Sequence, residues 1–158
     1  MFTVHRLWIA LYIAVASAAL VIGSDYASDT KSYDITLAAT REVHELTAFR
    51  SPSGNIGCYI EPNYVRCDIR DRAWSPPPRP ADCPGMTDYG QGIALKAGAG
   101  ASFVCAGDTA LNDGLALGYG EKITAGSIEC TSQTSGMNCW DFQYGHEFAL
   151  SREGYQIR

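Results

Sequence analysis

The sequence predicts an all-β fold, a small disulfide-stapled sandwich or barrel, and two observations predict it. The first is a pattern that occurs twice, at 54–67 and at 126–139: a Gly, an Ile two residues later, a Cys two after that, and then a second Cys with eight residues between the two cysteines. The second is a series of short β-type segments separated by Gly-rich turns, which is typical of sandwiches and barrels. An N-terminal apolar helix is expected to precede this domain.

Each copy of the pattern predicts a β-hairpin closed by its own disulfide. In the first copy, Pro62 and Asn63 lie midway between Cys58 and Cys67. Pro presets φ at the first central position of a tight turn, and Asn tolerates the second. A two-residue turn there makes the cysteines a non-hydrogen-bonded pair with Cα atoms roughly 4.5 Å apart, within the reach of a disulfide. The second copy has the same spacing and a turn near 134–136.

The likeness between the two copies extends past the hairpins. A Tyr-Gly segment at 89–95 follows the first hairpin, and a similar segment at 144–150 follows the second. The hairpins are 72 positions apart and the Tyr-Gly segments 55, so the first copy carries 17 extra residues, most of which the region 74–88 can supply. We therefore predict an internal duplication of a hairpin plus a third strand. Two units are too few for a solenoid, and one pseudo-symmetric domain is the better interpretation.

The N-terminus predicts export. His5 and Arg6 precede an uncharged apolar run over 7–23, as in a signal peptide. The run is near the lower limit for spanning a bilayer, so residues 1–23 are a signal peptide or an uncleaved membrane anchor. We expect a secreted or cell-envelope protein outside the cytoplasm, which contacts the membrane only through 7–23 if that segment is retained.

Six cysteines in an exported chain of 158 residues predict three disulfides rather than a metal site. Six cysteines allow 15 connectivities. Among them we predict the pairs Cys58–Cys67, Cys130–Cys139 and Cys83–Cys105. The Cys spacings fit no zinc knuckle, and Gly98–Gly100 lacks the Lys and the helix of a phosphate-binding loop. We therefore expect no metal and no cofactor.

The charge balance excludes one class of partner. Residue 23 is followed by 11 basic and 17 acidic residues, a formal net charge of −6. Phosphate contacts by basic side chains supply most of the affinity of nucleic-acid binders, so we expect no nucleic-acid partner.

In chain order, residues 24–48 are predicted to be a spacer with room for a short helix, because apolar residues recur at helical spacing after Asp34. The disulfide-rich β domain is predicted to span 49–158. Trp74–Pro80 is too rich in Pro for a helix or a central strand, and it predicts an extended loop. Further strands are predicted at 90–95, 102–105, 115–119, 121–124, 147–151 and 155–157. Asp68, Arg70, Asp71 and Arg72 are expected to form a solvated charge cluster.

Several segments together resemble a known family. They are Phe49–Cys58, Val65–Ile69, Phe103–Thr109, Tyr144–Phe148 and Leu150–Arg152. With them, the chain from Phe49 to its C-terminus resembles a family of exported domains of actinobacteria, mycobacteria especially, which has no assigned activity. The resemblance implies export and a shared fold, and it implies nothing about chemistry. Glu147 departs from the family, whose members often have Gly there, and is a poor candidate site residue.

Catalytic candidates are few. His146 is the one imidazole of the predicted domain, and with Asp141 or Asp108 it could serve as a general acid or base. No nucleophile accompanies it, and a hydrogen-bonded structural histidine is the simpler interpretation. Asp108 also reads as a loop residue whose carboxylate caps backbone donors.

The aromatic residues favour a binding surface, since amphipathic rings serve sugar and protein ligands alike. The candidate binding residues are Trp74, Pro76, Pro77, Tyr89 and Tyr144. The sequence thus predicts an exported binding or interaction module whose partner is an envelope glycan or protein. Three alternatives stay open: the aromatics fill the core, the chain is a small secreted hydrolase that uses His146, or it is a secreted inhibitor of a protease or lysozyme.

Overall fold

The computed structural model describes residues 39–158, which contain twelve strands within one compact unit. The strands are β1 (Thr40–Glu42), β2 (Thr47–Arg50), β3 (Ile56–Glu61), β4 (Tyr64–Ile69), β5 (Asp88–Lys96), β6 (Gly100–Ala106), β7 (Leu115–Ala116), β8 (Lys122–Ala125), β9 (Ile128–Gln133), β10 (Gly136–Asp141), β11 (Glu147–Leu150) and β12 (Tyr155–Ile157). The expected N-terminal apolar helix and signal segment lie outside the described residues. Across 39–158, no helix is long and apolar enough to cross a membrane.

The predicted all-β class is confirmed, and the strands form two six-stranded sheets. The first sheet has the order β6-β5-β4-β3-β2-β7, and the second has the order β1-β8-β9-β10-β11-β12. Each sheet is therefore an antiparallel meander of five consecutive strands with one short parallel strand added at its edge. β7 pairs with β2 of the first sheet, and β1 pairs with β8 of the second. Each half of the chain thus gives its first strand to the sheet of the other half.

The two predicted hairpins are present in the predicted register. Glu61 pairs with Tyr64 across the turn at 62–63, and Cys58 lies opposite Cys67. Cys130 lies opposite Cys139 in the β9–β10 hairpin. All three predicted disulfides are confirmed; the Cα atoms are 4.1 Å apart in each hairpin bridge, close to the spacing of a non-hydrogen-bonded pair. The third bridge, Cys83–Cys105, joins the segment between β4 and β5 to β6.

The register also shows how the two halves correspond. Cys67 of β4 lies opposite Ile93 of β5, and Cys139 of β10 lies opposite Phe148 of β11. The cysteines are 72 positions apart and their partners 55, which are the two offsets of the sequence repeat. The additional residues of the first half lie between β4 and β5, where the repeat places them.

Both sheets contribute to one apolar core, as in a sandwich. The fully buried side chains include Phe49, Ile60 and Leu95 of the first sheet and Ile123 and Phe148 of the second. The two hairpin disulfides lie in the same cluster. Side chains alternate along a strand, so each cysteine that faces this core leaves its neighbours on the outer face of its sheet.

The predicted start of the domain is wrong. Residues 40–48, expected to continue a spacer with a short helix, contain β1 and most of β2. Thr40 lies opposite Lys122, and the N–H of Val43 donates to the carbonyl oxygen of Thr124 at 2.9 Å. The helical spacing of a few apolar residues is a weak signal, and pairing with a distant strand overrides it. The part of the predicted spacer before residue 39 lies outside the described residues.

Residues 107–114, which we name the connector, run from β6 at one edge of the first sheet to β7 at the other. The connector lies against the outer face of this sheet: a Cβ added to Gly57 of β3 would lie 2.6 Å from the carbonyl oxygen of Ala110. The carboxylate of Asp68 accepts a hydrogen bond from the N–H of Ala110 at 2.8 Å. The side-chain amide of Asn112 donates to the carbonyl oxygen of Cys58 at 3.1 Å. The sheet therefore holds the connector at several points.

The expected solvated charge cluster needs a correction at Asp68, which is only 1% exposed. Its carboxylate pairs with the guanidinium of Arg66 through two hydrogen bonds of 2.9 and 2.8 Å. Arg66 also donates to the carboxylate of Asp108 at 2.7 Å. Burial disfavours the charge of Arg66, but the hydrogen bonds that Arg66 donates to Asp68 and Asp108 outweigh this effect and raise the pKa of the guanidinium. Asp68 is therefore half of a buried ion pair that holds the connector.

Candidate functional site

The predicted binding loop at 74–80 packs its aromatic residue into the protein. The indole N–H of Trp74 donates to the carbonyl oxygen of Ser151 at 2.8 Å. The ring centroid of Trp74 lies 4.8 Å from that of Tyr155 and 6.0 Å from that of Phe103. This ring packs against the core rather than lying open to a ligand.

The neighbouring candidates follow the same pattern in part. Tyr89 is half-buried, with its ring centroid 6.1 Å from that of Phe103. Pro76 packs on Gly90, where an added Cβ would come within 2.5 Å of the proline ring. Pro77 is exposed. The structure therefore brings Trp74 and Tyr89 together around Phe103, and it leaves Tyr144 apart from them.

Tyr144 is one of three exposed aromatic residues that occupy alternate positions at and after the end of β10. We name Trp140, Phe142 and Tyr144 the aromatic row. They are 42%, 50% and 56% exposed, respectively. The ring centroids of Trp140 and Phe142 lie 6.1 Å apart at an angle of 61°. The contact between two exposed rings makes this region a candidate binding site.

Asp141, fully buried between the first two aromatics, fixes the backbone that carries them. Its carboxylate accepts hydrogen bonds from the N–H of Gly98 at 2.9 Å and from the N–H of Gln143 at 3.1 Å. Burial raises the pKa of Asp141, but the hydrogen bonds from Gly98, the Ser127 hydroxyl, Gln143 and Tyr144 outweigh it, so the pKa lies below its ordinary value. The ionised carboxylate therefore ties the end of β10 to the β5–β6 turn.

Two more contacts support the loop from Phe142 to His146. The N–H of Phe142 donates to the carbonyl oxygen of Ser127 at 3.0 Å. The ring of Tyr144 lies on Gly98, with ring atoms 3.4 Å from the position of an added Cβ. The backbone that carries the aromatic row is thus bonded to both sheets.

The three catalytic candidates are not assembled into one group. Asp141 bonds the Gly98 turn, and Asp108, 79% exposed, pairs with Arg66 on the outer face of the first sheet. The imidazole of His146 lies beside Gly100, its Nδ1 3.7 Å from the position of an added Cβ. In the described part of the chain, no hydrogen bond joins the imidazole to either carboxylate. Nor do residues 39–158 contain a group of three or more His, Cys, Asp or Glu that could hold a metal.

Trp140 and Phe142 were not among the predicted binding residues, although a signal for one of them existed. Once Cys139 faces the core through its disulfide, alternation along the strand directs Trp140 to the outer face. The position of Phe142 depends instead on Asp141 and the Gly98 turn, 43 residues away in sequence. No local pattern indicates that contact.

Asp68 and Trp140 occupy corresponding positions, each directly after the second cysteine of its hairpin. In the first sheet this position binds the connector, and in the second it carries an exposed ring. The outer faces of the two sheets therefore differ at this position. The residue of the first sheet binds another segment of the chain, and the residue of the second sheet is exposed to solvent.

Comparison with known proteins matches the chain to a protein family. No curated protein and no solved structure matches the chain. The match is to a family of unknown function, DUF6636, over residues 30–157, which covers most of the chain and includes both sheets, the connector and the aromatic row. The chain therefore belongs to this family of unknown function, DUF6636.

Proposed function

We propose that the protein is an exported binding module of the cell envelope, in which the aromatic row is the ligand surface. The observation that carries the proposal is the set of three exposed rings on a backbone held by the buried carboxylate of Asp141. Rings that are held before binding lose little conformational entropy on binding, so they contribute more of their contact energy to affinity. Trp and Tyr are also enriched among the residues that dominate binding energies.

The proposed location follows from the sequence and the disulfides. Three disulfides in a small domain are expected in an oxidising compartment outside the cytoplasm. Export through residues 1–23, retention at the envelope and an actinobacterial source are further parts of this proposal. The partner is an envelope glycan or an envelope protein, and the aromatic row serves either class.

The test is retention of the oxidised full-length chain by envelope fractions of the source organism, with glycans and proteins separated. We expect Trp140→Ala, Phe142→Ala or Tyr144→Ala to weaken retention about 30-fold, the effect of losing about 2 kcal/mol of binding energy. Tyr119→Ala is the matched control, because Tyr119 is 51% exposed and lies outside the aromatic row. All variants are first checked for native near-ultraviolet circular dichroism.

The result also assigns the ligand class. Retention by the glycan fraction identifies a wall-binding module, and capture of a single protein identifies an assembly partner or an inhibited enzyme. The proposal is wrong if no fraction retains the wild-type chain, or if the three variants are retained as strongly as Tyr119→Ala.

A further inference from the structure

β6 is an edge strand that lacks the charge, the Pro and the shortness that commonly prevent pairing with other chains. It is the outermost strand of the first sheet and has seven residues, whereas β1, β7 and β12, the other three edges, have two or three. Its sequence, GASFVCA, contains no charge and no Pro. Natural edge strands are commonly blunted by charge, by Pro or by shortness, because unpaired backbone groups recruit further strands.

The register identifies the backbone groups that face the open edge. Hydrogen-bonded and non-hydrogen-bonded pairs alternate along an antiparallel ladder, and a strand residue directs both its N–H and its C=O to one side. Since Cys67 is in a non-hydrogen-bonded pair with β3, it bonds Ile93 of β5 on its other side. Phe103 lies opposite Ile93, and it therefore directs its N–H and C=O away from β5, as does Ala101.

A groove of about 590 Å³ runs beside this edge. Its lining includes five consecutive residues of β6, Ser102–Ala106, and it extends across the outer face of the sheet to Tyr64 and Arg66 of β4. Pro80 and Pro84 form part of the opposite wall, and the Cys83–Cys105 disulfide fixes this wall to β6. The space between a fixed wall and an open strand edge suits an extended chain.

Both faces of β6 offer contacts for alternate side chains of such a chain. On the core side lies Phe103, whose ring centroid is 4.8 Å from that of Tyr155. On the outer side, Ser102 is in register with Ala94, and these small residues leave the groove open as far as Arg66 and Tyr64. The charge of Arg66 is already paired with Asp68 and Asp108, and Asp82 is the exposed charge in the groove lining.

We propose that β6 and this groove bind an extended segment of a partner protein, which adds to the first sheet as an antiparallel or parallel strand. The segment carries apolar residues at alternate positions and a Lys or Arg that faces Asp82. Strand addition of this kind draws affinity from backbone hydrogen bonds and specificity from pockets for alternate side chains. The groove lining shares no residue with the aromatic row, and the proposal does not depend on the function assigned to that row.

The test uses a displayed library of random nine-residue peptides, selected against the oxidised full-length chain. We expect enriched peptides to alternate apolar residues and to carry a basic residue. In amide hydrogen exchange, a synthetic peptide from this set should slow exchange at Ala101 and Phe103 at least about tenfold, because bonded amides exchange only on opening. Failure to enrich any peptide, or a bound peptide that leaves both amides unprotected, overturns the proposal.

Two variants separate backbone pairing from charge. Ala101→Pro removes one edge N–H without removing a bond to β5, and it should weaken peptide binding about tenfold. Asp82→Lys should weaken binding of the basic peptide by a similar factor, whereas Glu61→Lys, the same charge change at an exposed residue outside the groove lining, should not. If Ala101→Pro does not fold, the hydrogen-exchange result and the comparison of Asp82→Lys with Glu61→Lys decide.

A second copy of the chain could occupy the same edge. Protection of both amides without peptide, in a dimer detected by sedimentation, would assign the edge to that second copy and overturn the partner proposal.

Discussion

At the scale of single residues, Asp141 links folding to the aromatic row. A buried carboxylate costs free energy unless hydrogen bonds compensate its charge. Here the donors include the N–H of Gly98 from the other half of the chain, so one charge joins the β5–β6 turn of the first sheet to the end of β10 in the second. The same contact places Phe142 and Tyr144 on the surface.

This carboxylate predicts a pH dependence of stability. Because hydrogen bonds hold the folded-state pKa of Asp141 below its ordinary value, its stabilising contribution is present above the unfolded-state pKa of about 3.9 and is lost as the pH falls through the folded-state pKa. Asn at this position does not titrate. We expect Asp141→Asn to be less stable at pH 7 by about 1–3 kcal/mol and to lose less stability than wild type between pH 5 and pH 2, both values on the scale of charged hydrogen bonds and carboxylate titration.

The measurement is urea unfolding of the oxidised chain at a series of pH values. Asp113→Asn changes an exposed carboxylate of the connector and serves as the control. Equal loss of stability on acidification in wild type and Asp141→Asn would contradict the role given to this carboxylate.

At the scale of elements, the connector and the Asp68 carboxylate that binds it explain why two strand positions lack a side chain. A Cβ at Gly57 would lie 2.6 Å from the carbonyl oxygen of Ala110, and a Cβ at Gly92 would lie 2.1 Å from the carboxylate of Asp68. The corresponding positions of the second sheet are Glu129, which pairs with Lys122, and Glu147, which pairs with Arg158. Side chains are absent where the chain crosses the first sheet and present at the matching places in the second.

Gly57→Ala tests whether this close approach stabilises the domain. The added methyl group would force the connector away from β3, and we expect a loss of about 1–3 kcal/mol, as for overpacked cores. Gly107→Ala is the matched control, because no atom lies within 4 Å of its added Cβ, and it should be neutral or stabilise by up to about 1 kcal/mol. Urea unfolding at pH 7 measures both, and equal stabilities of the two variants would show that the connector is not held at Gly57.

At the scale of the whole molecule, the sequence predicted the features whose interacting residues lie close together in the chain, and it did not predict those that depend on distant residues. The hairpins and their disulfides follow from cysteine spacing and turn residues within a few positions, and they were predicted correctly. β1 was missed because its partner β8 is about 80 residues away and parallel pairing leaves no local pattern. The burial of Asp68 was missed for the same reason, since the connector that covers it lies about 40 residues on.

The residues of the candidate site also differ in how far the sequence could predict them. Tyr144 was predicted from residue type, and the exposure of Trp140 follows from hairpin alternation once Cys139 is placed. Packing of Trp74 against the core was among the alternatives, but its partners could not be predicted, because they are the carbonyl of Ser151, 77 residues away, and the ring of Tyr155.

The exchange of edge strands between halves predicts that neither half folds alone. Residues 39–113 would lack β7 for the first sheet, and residues 114–158 would lack β1 for the second. Each isolated half would also expose its side of the shared core, which a chain of this size cannot offset. Every disulfide lies within one half, so the two fragments can be made separately in oxidised form. We expect no cooperative thermal unfolding from either fragment and a native circular dichroism spectrum from an equimolar mixture, which should elute as one complex. Cooperative unfolding of a single fragment would mean that the halves are independent units joined by the connector, and that the exchanged edge strands are not needed for either half to fold.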